Sequence, residues 1–241
     1  MNECLNCEKP LDGEYCGHCG QRNVNLERPI WSLVADVVRE TLEVDGRVWL
    51  TLKTLFRHPG KLTSDFLAGR RRIYTPPLRL YLVTSISFFV LVAWAARSGL
   101  LLEPGQDPVF DAAVQAQFLS DDLPRLMFVL LPAFALLMKA VYFRDLYFNH
   151  LIFSIHLHMV GYVVLALLLP LENLANQHVG LYVAQAVLLA YFVVYFIIAA
   201  HRVYGSSWPG AVLKSGAVLF GYIIVVSIAI ESTSTFLIIA D

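Results

Sequence analysis

The chain has 241 residues, 57% of them hydrophobic and only 15% charged, with a formal net charge of −1. A soluble domain carries about a quarter charged residues. The apolar excess here is gathered in long runs after residue 79, which excludes an ordinary water-soluble globule. Charge is divided just as unevenly: residues 1–79 hold 12 of the 18 Lys and Arg and 10 of the 19 Asp and Glu.

Residues 1–29 contain no apolar stretch of the kind a secretory signal carries. They do contain all four cysteines: Cys4, Cys7, Cys16 and Cys19. The spacing is C-x2-C-x8-C-x2-C, two tight turns that each offer a pair of thiolates to one ion. Pro10 and Asp12-Gly13 supply turns between the pairs. A module of some 24 residues cannot fold by burial alone. A structural zinc ion would supply most of its folding free energy, about 10–16 kcal/mol. Four thiolates close the tetrahedron, so the site is expected to be structural rather than catalytic, with His18 a bystander. Lys9, Arg22 and Arg28 stand against five acidic residues in 1–29. That balance argues against nucleic acid as a partner.

From Pro29 to residue 75 the pattern is amphipathic. Ile30, Leu33, Val34, Val37, Val38 and Leu42 keep helical spacing, and Asp45-Gly46 breaks the run. Val48, Trp49, Leu52, Leu55 and Phe56 form a second stretch, which His58-Pro59-Gly60 ends. A third short helix follows and closes near Gly69. These helices either lie in the membrane interface, with Trp31, Trp49 and Phe56 as anchors, or pack as a hairpin beneath a helical bundle. Arg70, Arg71, Arg72 and Arg79 form a basic cluster just before the first apolar run. They are read as setting topology at the membrane surface and facing anionic headgroups.

Five segments are long and apolar enough to cross a bilayer: about 80–100, 126–143, 151–171, 181–200 and 211–231. Their flanks favour an N-terminus in the cytoplasm. The basic cluster precedes the first span. Five acids and no base lie in 103–124. Lys139, Arg144, Arg202 and Lys214 border the later inner connections. The expected class is therefore an all-α integral membrane protein of about five transmembrane helices in the cell (inner) membrane. A zinc ribbon (1–24), amphipathic cytoplasmic or interfacial helices (29–75) and a transmembrane domain (76–241) are its parts.

The third span carries an unusual polar set: His150, Ser154, His156 and His158. His150, Ser154 and His158 are four apart and share a face, while His156 points nearly opposite. Ionisable groups inside a membrane are candidate functional groups, for metal or haem ligation or for proton relay. The plainer alternative is that they bond neighbouring helices. No acidic residue is embedded mid-span. No G-x-S-x-G, no H-E-x-x-H and no phosphate-cradling glycine loop occurs.

Several of these segments together resemble one family. Cys4-Leu5-Asn6-Cys7 and Tyr15-Cys16-Gly17-His18-Cys19-Gly20-Gln21 open the chain. Thr51-Leu52 with Pro59-Gly60, then Gly69-Arg70-Arg71-Arg72-Ile73-Tyr74 with Pro76-Pro77, and then Asn149-His150-Leu151-Ile152-Phe153-Ser154-Ile155-His156 follow. The pattern is similar to the uncharacterised bacterial membrane proteins grouped as DUF3667. The resemblance implies a zinc ribbon on a multi-pass membrane domain, with no established activity. The family generally has Gly after the first C-x-x-C, where this chain has Glu8.

The resulting expectation is a non-enzymatic scaffold or sensor whose ribbon and amphipathic helices engage a cytoplasmic protein as well as the lipid bilayer. A small transporter or channel using the polar face of span three is the alternative. An intramembrane haem or metal protein is a further one.

Overall fold

A computed structural model describes residues 2–11, 13–23, 47–98, 118, 122–175 and 179–240. The amphipathic run Ile30–Leu42, Trp31 and the acids Glu103, Asp107, Asp111 and Asp121 lie outside the described residues. Two short antiparallel strands, β1 (Asn2–Glu3) and β2 (Pro10–Leu11), come first. Seven helices follow among the described residues: α1 (Val48–Arg57), α2 (Lys61–Leu67), α3 (Pro77–Arg97), α4 (Leu123–Val141), α5 (Tyr147–Ala175), α6 (Val179–Tyr204) and α7 (Trp208–Ala240). Helices α3 to α7 are each long and apolar enough to cross a membrane. The all-α class with five spans, as read from hydropathy, is what the chain adopts.

The bundle is organised around α5. Of its apolar window 56% is buried, against 11–33% for the other four spans. Helices α3, α4 and α6 pack on it directly, and α7 packs on α4 and α6, closing a four-helix ring α4–α5–α6–α7. Along α5, Ile152, Phe153, Ile155, Leu157, Met159 and Val160 are all buried. The outer helices instead keep bare apolar faces, such as Val83, Ile86 and Val90 on α3 and Phe220 and Ile223 on α7. Those faces suit acyl chains, not water. Pro77 opens α3, where its missing N–H costs nothing. Pro132 sits inside α4, and side chains of α5 reach the carbonyls beside it. Ser154 Oγ donates to Leu131 O at 3.1 Å and Tyr147 Oη to Pro132 O at 3.3 Å.

The α1–α2 hairpin packs against the flanks of α5 and α6. Tyr195 Oη donates to Leu55 O at 2.9 Å, and Tyr191 Oη to Phe56 O at 3.0 Å. Tyr195 lies nine residues before the end of α6, about 13 Å along its axis. The hairpin therefore lies alongside the spans, rather than only capping their ends. Its turn requires Gly60, which has φ 75°. A Cβ there would meet Ala199 O at 2.8 Å and Ala199 Cα at 2.9 Å, backbone against backbone. Between α1, α2 and the start of α3 runs a polar seam. Thr75 N donates to Thr51 Oγ1 at 2.9 Å, and Thr51 Oγ1 donates on to Arg47 O at 2.8 Å.

Asp65 holds the seam together. It is 4% exposed and accepts from Arg70 Nη2 (2.7 Å), Lys61 Nζ (2.9 Å) and Tyr74 Oη (2.9 Å). Burial alone would raise its pKa, but these three donors together hold the carboxyl below its ordinary value. Burial, reinforced by the same carboxylate, pushes Tyr74 up to about 12. Asp65→Asn should destabilise the detergent-solubilised protein by about 1–2 kcal/mol, modest because Lys61 and Arg70 are nearly half exposed. A depressed carboxylate pKa contributes fully above the unfolded value and is lost as pH falls through the folded one. The gap in thermal midpoint between wild type and variant should thus be complete at pH 7 and shrink below about pH 4. A gap of equal size at pH 3 would contradict this account.

Candidate metal centre and the loop it rests on

Each cysteine pair forms a knuckle with the same backbone pattern. Glu8 N donates to Cys4 O and Gly20 N to Cys16 O, both at 2.8 Å. Cys4 N donates to Lys9 O and Cys16 N to Gln21 O, both at 2.9 Å. The pairing Asn2↔Leu11 and Glu3↔Pro10 closes the first hairpin, and the bridge Tyr15↔Arg22 closes the second. The second knuckle turns through Gly20 at φ 69°. The first turns through Glu8 at φ 59°. So Glu8 accepts a left-handed backbone that costs a side-chain-bearing residue about 1–2 kcal/mol.

The two knuckles bring all four sulfurs within 4.8 Å of one another. Cys4 Sγ to Cys19 Sγ and Cys7 Sγ to Cys16 Sγ are both 3.6 Å. A disulfide would need about 2.05 Å. A tetrahedron of metal–sulfur bonds of about 2.3 Å has sulfur–sulfur edges of about 3.8 Å. The quartet fits that figure and could hold a metal ion. Amide N–H groups of Cys19 and then of His18 point at Cys16 Sγ and bring its thiol down to about 6. The thiolate needed for ligation is thereby favoured at Cys16, whereas at Cys7 a backbone hydrogen bond from Lys9 is outweighed by burial and by the other cysteines, which push that thiol up. Cys4 and Cys16 are 2% exposed. The His18 side chain is exposed and outside the cluster of converging ligand atoms.

The ribbon rests on the loop between α2 and α3. Gln21, next to the second knuckle, spends its whole side-chain amide on that loop. Its Nε2 donates to Gly69 O at 2.6 Å, and its Oε1 accepts from Arg71 N at 3.1 Å and Arg72 N at 3.2 Å. Leu5 of the first knuckle lies on Gly69. A Cβ at Gly69 would meet Leu5 Cδ1 at 2.5 Å, and its φ of 84° also requires glycine. The Arg72 guanidinium lies beside Gly20. Arg70 is bound to Asp65, Arg71 lies 5.2 Å above the Phe66 ring, and Arg47 donates to Arg72 O. The arginine run thus takes part in contacts within the chain, while Arg79 lies half-buried in the first turn of α3.

The polar residues of α5 are each tied to a different neighbour. His150 Nδ1 meets Tyr204 Oη of α6 at 2.9 Å. Ser154 reaches α4 as described. His156 Nδ1 meets Thr63 Oγ1 of α2 at 2.9 Å. His158 Nε2 meets Tyr222 Oη of α7 at 2.9 Å. His158 Nδ1 lies 2.8 Å from Ser154 O, which can only accept. The ring therefore carries a proton on Nδ1, and in the neutral form Nε2 accepts the Tyr222 hydroxyl proton. Sequence periodicity found the face shared by His150, Ser154 and His158. It missed their tyrosine partners, which sit in apolar runs and look like bulk. The i, i+4 pair Tyr191 and Tyr195 was a readable signal for the surface on which α1 lies. Gln21 had no signal beyond its place after the second knuckle.

Taken together, the apolar helices define a multi-pass membrane-type protein with a four-cysteine module at its N-terminal end. A family model described as a protein of unknown function, DUF3667, matches residues 45–89. That segment holds α1, α2, the arginine loop on which the ribbon rests, and the first half of α3. Neither the curated proteins nor the solved structures contain a match.

Replacing Glu8 by Gly should relieve the left-handed strain and stabilise the first knuckle by about 1 kcal/mol. The readout is competition with a chromogenic chelator, in which the variant should hold its metal up to several-fold more tightly. A variant that releases metal faster than wild type would show that the Glu8 side chain contributes more than its backbone costs.

Proposed function

We propose that the chain is a non-enzymatic membrane scaffold or sensor whose zinc-loaded ribbon acts as a latch on the arginine loop. The observation that carries the reading is the Gln21 clamp, three hydrogen bonds from one side chain to the loop backbone. Zinc suits the quartet: a closed set of four thiolates is a structural zinc environment. A module with so little core takes its shape from the ion. Holding the metal therefore positions Gln21 and Leu5, and these in turn position Gly69 to Arg72. Ribbon side chains that remain exposed, Tyr15 among them, would meet a cytoplasmic protein partner.

The same reading orients the chain with the ribbon in the cytoplasm of a cell whose inner membrane holds the spans. Arg70, Arg71, Arg72, Arg79, Lys139, Arg144, Arg202 and Lys214 all border the end of the bundle that carries the ribbon, as the positive-inside rule requires. Helix α1 presents Trp49 (77% exposed), Leu50, Lys53 and Arg57 away from the bundle. An aromatic and basic stripe of this kind suits the lipid interface. The hydrogen bonds of the α5 histidines support a packing role for them.

Two measurements on the full-length protein test the proposal. Elemental analysis should give one zinc per chain, lost in Cys16→Ser/Cys19→Ser. Limited trypsin digestion should cut after Arg70, Arg71 and Arg72 at least tenfold faster once zinc is chelated. Gln21→Ala should bind zinc normally yet be cut faster with it bound. Equal cleavage with and without zinc would sink the latch, while the metal content would still report on the site.

A further inference from the structure

The four-helix ring holds a cavity of about 250 Å³ that is open on one side. All four helices contribute to its wall: Phe134 from α4, His158 and Gly161 from α5, Phe192 from α6, and Leu219 and Tyr222 from α7. Each of these lies within three residues of the midpoint of its span. One end is closed by a knot of rings. Phe134 meets Tyr222 edge-on at 5.0 Å, His158 at 5.4 Å and Phe196 at 5.9 Å. At the rim, Leu165 is 43% and Leu189 52% exposed, so the cavity communicates with whatever surrounds α5 and α6. Around a membrane-spanning bundle that surrounding is hydrocarbon.

The chemistry of the wall narrows the occupant. Its histidine has both ring nitrogens engaged, Nδ1 with Ser154 O and Nε2 with Tyr222 Oη. The Tyr162 hydroxyl is likewise paired with Tyr81, at 3.2 Å. A trapped water needs two to four polar partners, and these groups are already committed to one another. An apolar cavity of about 150 Å³ stays dry and takes up benzene, and this one is larger. A polar solute would lose its hydration for little return. An aliphatic chain loses nothing on leaving the bilayer and gains close packing against Phe192, Leu219 and Leu189. Gly161 leaves space at the wall: a Cβ there would come no nearer than 3.5 Å to Phe192, an ordinary contact, so a larger residue would project from this point of the wall.

We infer that this cavity is a binding site for one aliphatic chain of a membrane lipid, entering past Leu165 and Leu189 and stopping at the Phe134–His158–Tyr222 knot. The site is independent of the ribbon and stands whether or not the latch does. Both acyl and isoprenoid lipids carry such a chain, and the test separates them.

Full-length protein in liposomes is photolabelled with either a phospholipid or a polyprenol, each bearing a diazirine at the end of its chain. The labelled peptides are then mapped by mass spectrometry. One of the probes should label residues 157–165 of α5 and 189–192 of α6. Unlabelled lipid of the same class should compete, and the successful probe identifies the source. Gly161→Leu fills the cavity and should cut that labelling at least tenfold, while labelling of the outer residues Phe220 and Ile223 stays unchanged. Leu189→Phe narrows the rim from an exposed position and serves where Gly161→Leu does not assemble; it should cut the labelling several-fold. Labelling of the inner segments that is absent with both probes, or equal in wild type and the assembled variants, would overturn the inference.

Discussion

The constraint on which the architecture depends is the pairing of polar groups around a buried helix. Helix α5 is surrounded by protein along most of its length, and it carries three histidines and a serine where water cannot reach them freely. A buried polar group without a partner costs a few kcal/mol. Each of these residues is therefore met from a different direction, by Tyr204 on α6, Leu131 on α4, Thr63 on α2 and Tyr222 on α7, although His150 Nε2 is buried without a partner. Such contacts are individually modest in membranes. Their value is in geometry, because they fix the rotation and stagger of four neighbours against one axis.

The same constraint explains why the segment before the first span is built into the bundle. Helices α1 and α2 are too short to cross a membrane and too apolar on one face to be left in water. They are joined to each other and to the start of α3 along a seam in which Thr51, Thr54 and Thr75 are buried and Asp65 gathers three donors, and Thr63 carries the polar contact to α5. The glycine at position 60 lets this hairpin touch the backbone of α6, and the glycine at 69 lets the ribbon touch the loop. The family match covers this stretch, from just before α1 into α3. It coincides with the segment that links the four-cysteine module to the spans.

Much of this was legible in the chain itself. Five apolar runs of sufficient length, separated by charge, gave five membrane-type helices, because transfer of a side chain into hydrocarbon is a property of each residue that sums along the sequence. The closeness of the four cysteines was legible from two C-x-x-C turns, because a turn of four residues is a local object. The arginine run is a harder case. Its charge and position suggested the membrane surface, while its observed neighbours are Asp65, Phe66 and the ribbon. Charge is visible in a sequence, but the group that faces it is not.

By itself, then, the sequence determined what could be counted locally: the number of apolar helices, the cysteine quartet, the polar face of one span. Only the tertiary structure decided which helix is central, which tyrosine answers each histidine, where Gln21 rests and that a cavity stays open between Phe192 and Tyr222. Those features depend on the rotation and stagger of one helix against another. Many apolar faces can be mated at nearly equal hydrophobic gain, and directional hydrogen bonds and the shapes of glycine and aromatic side chains select among them.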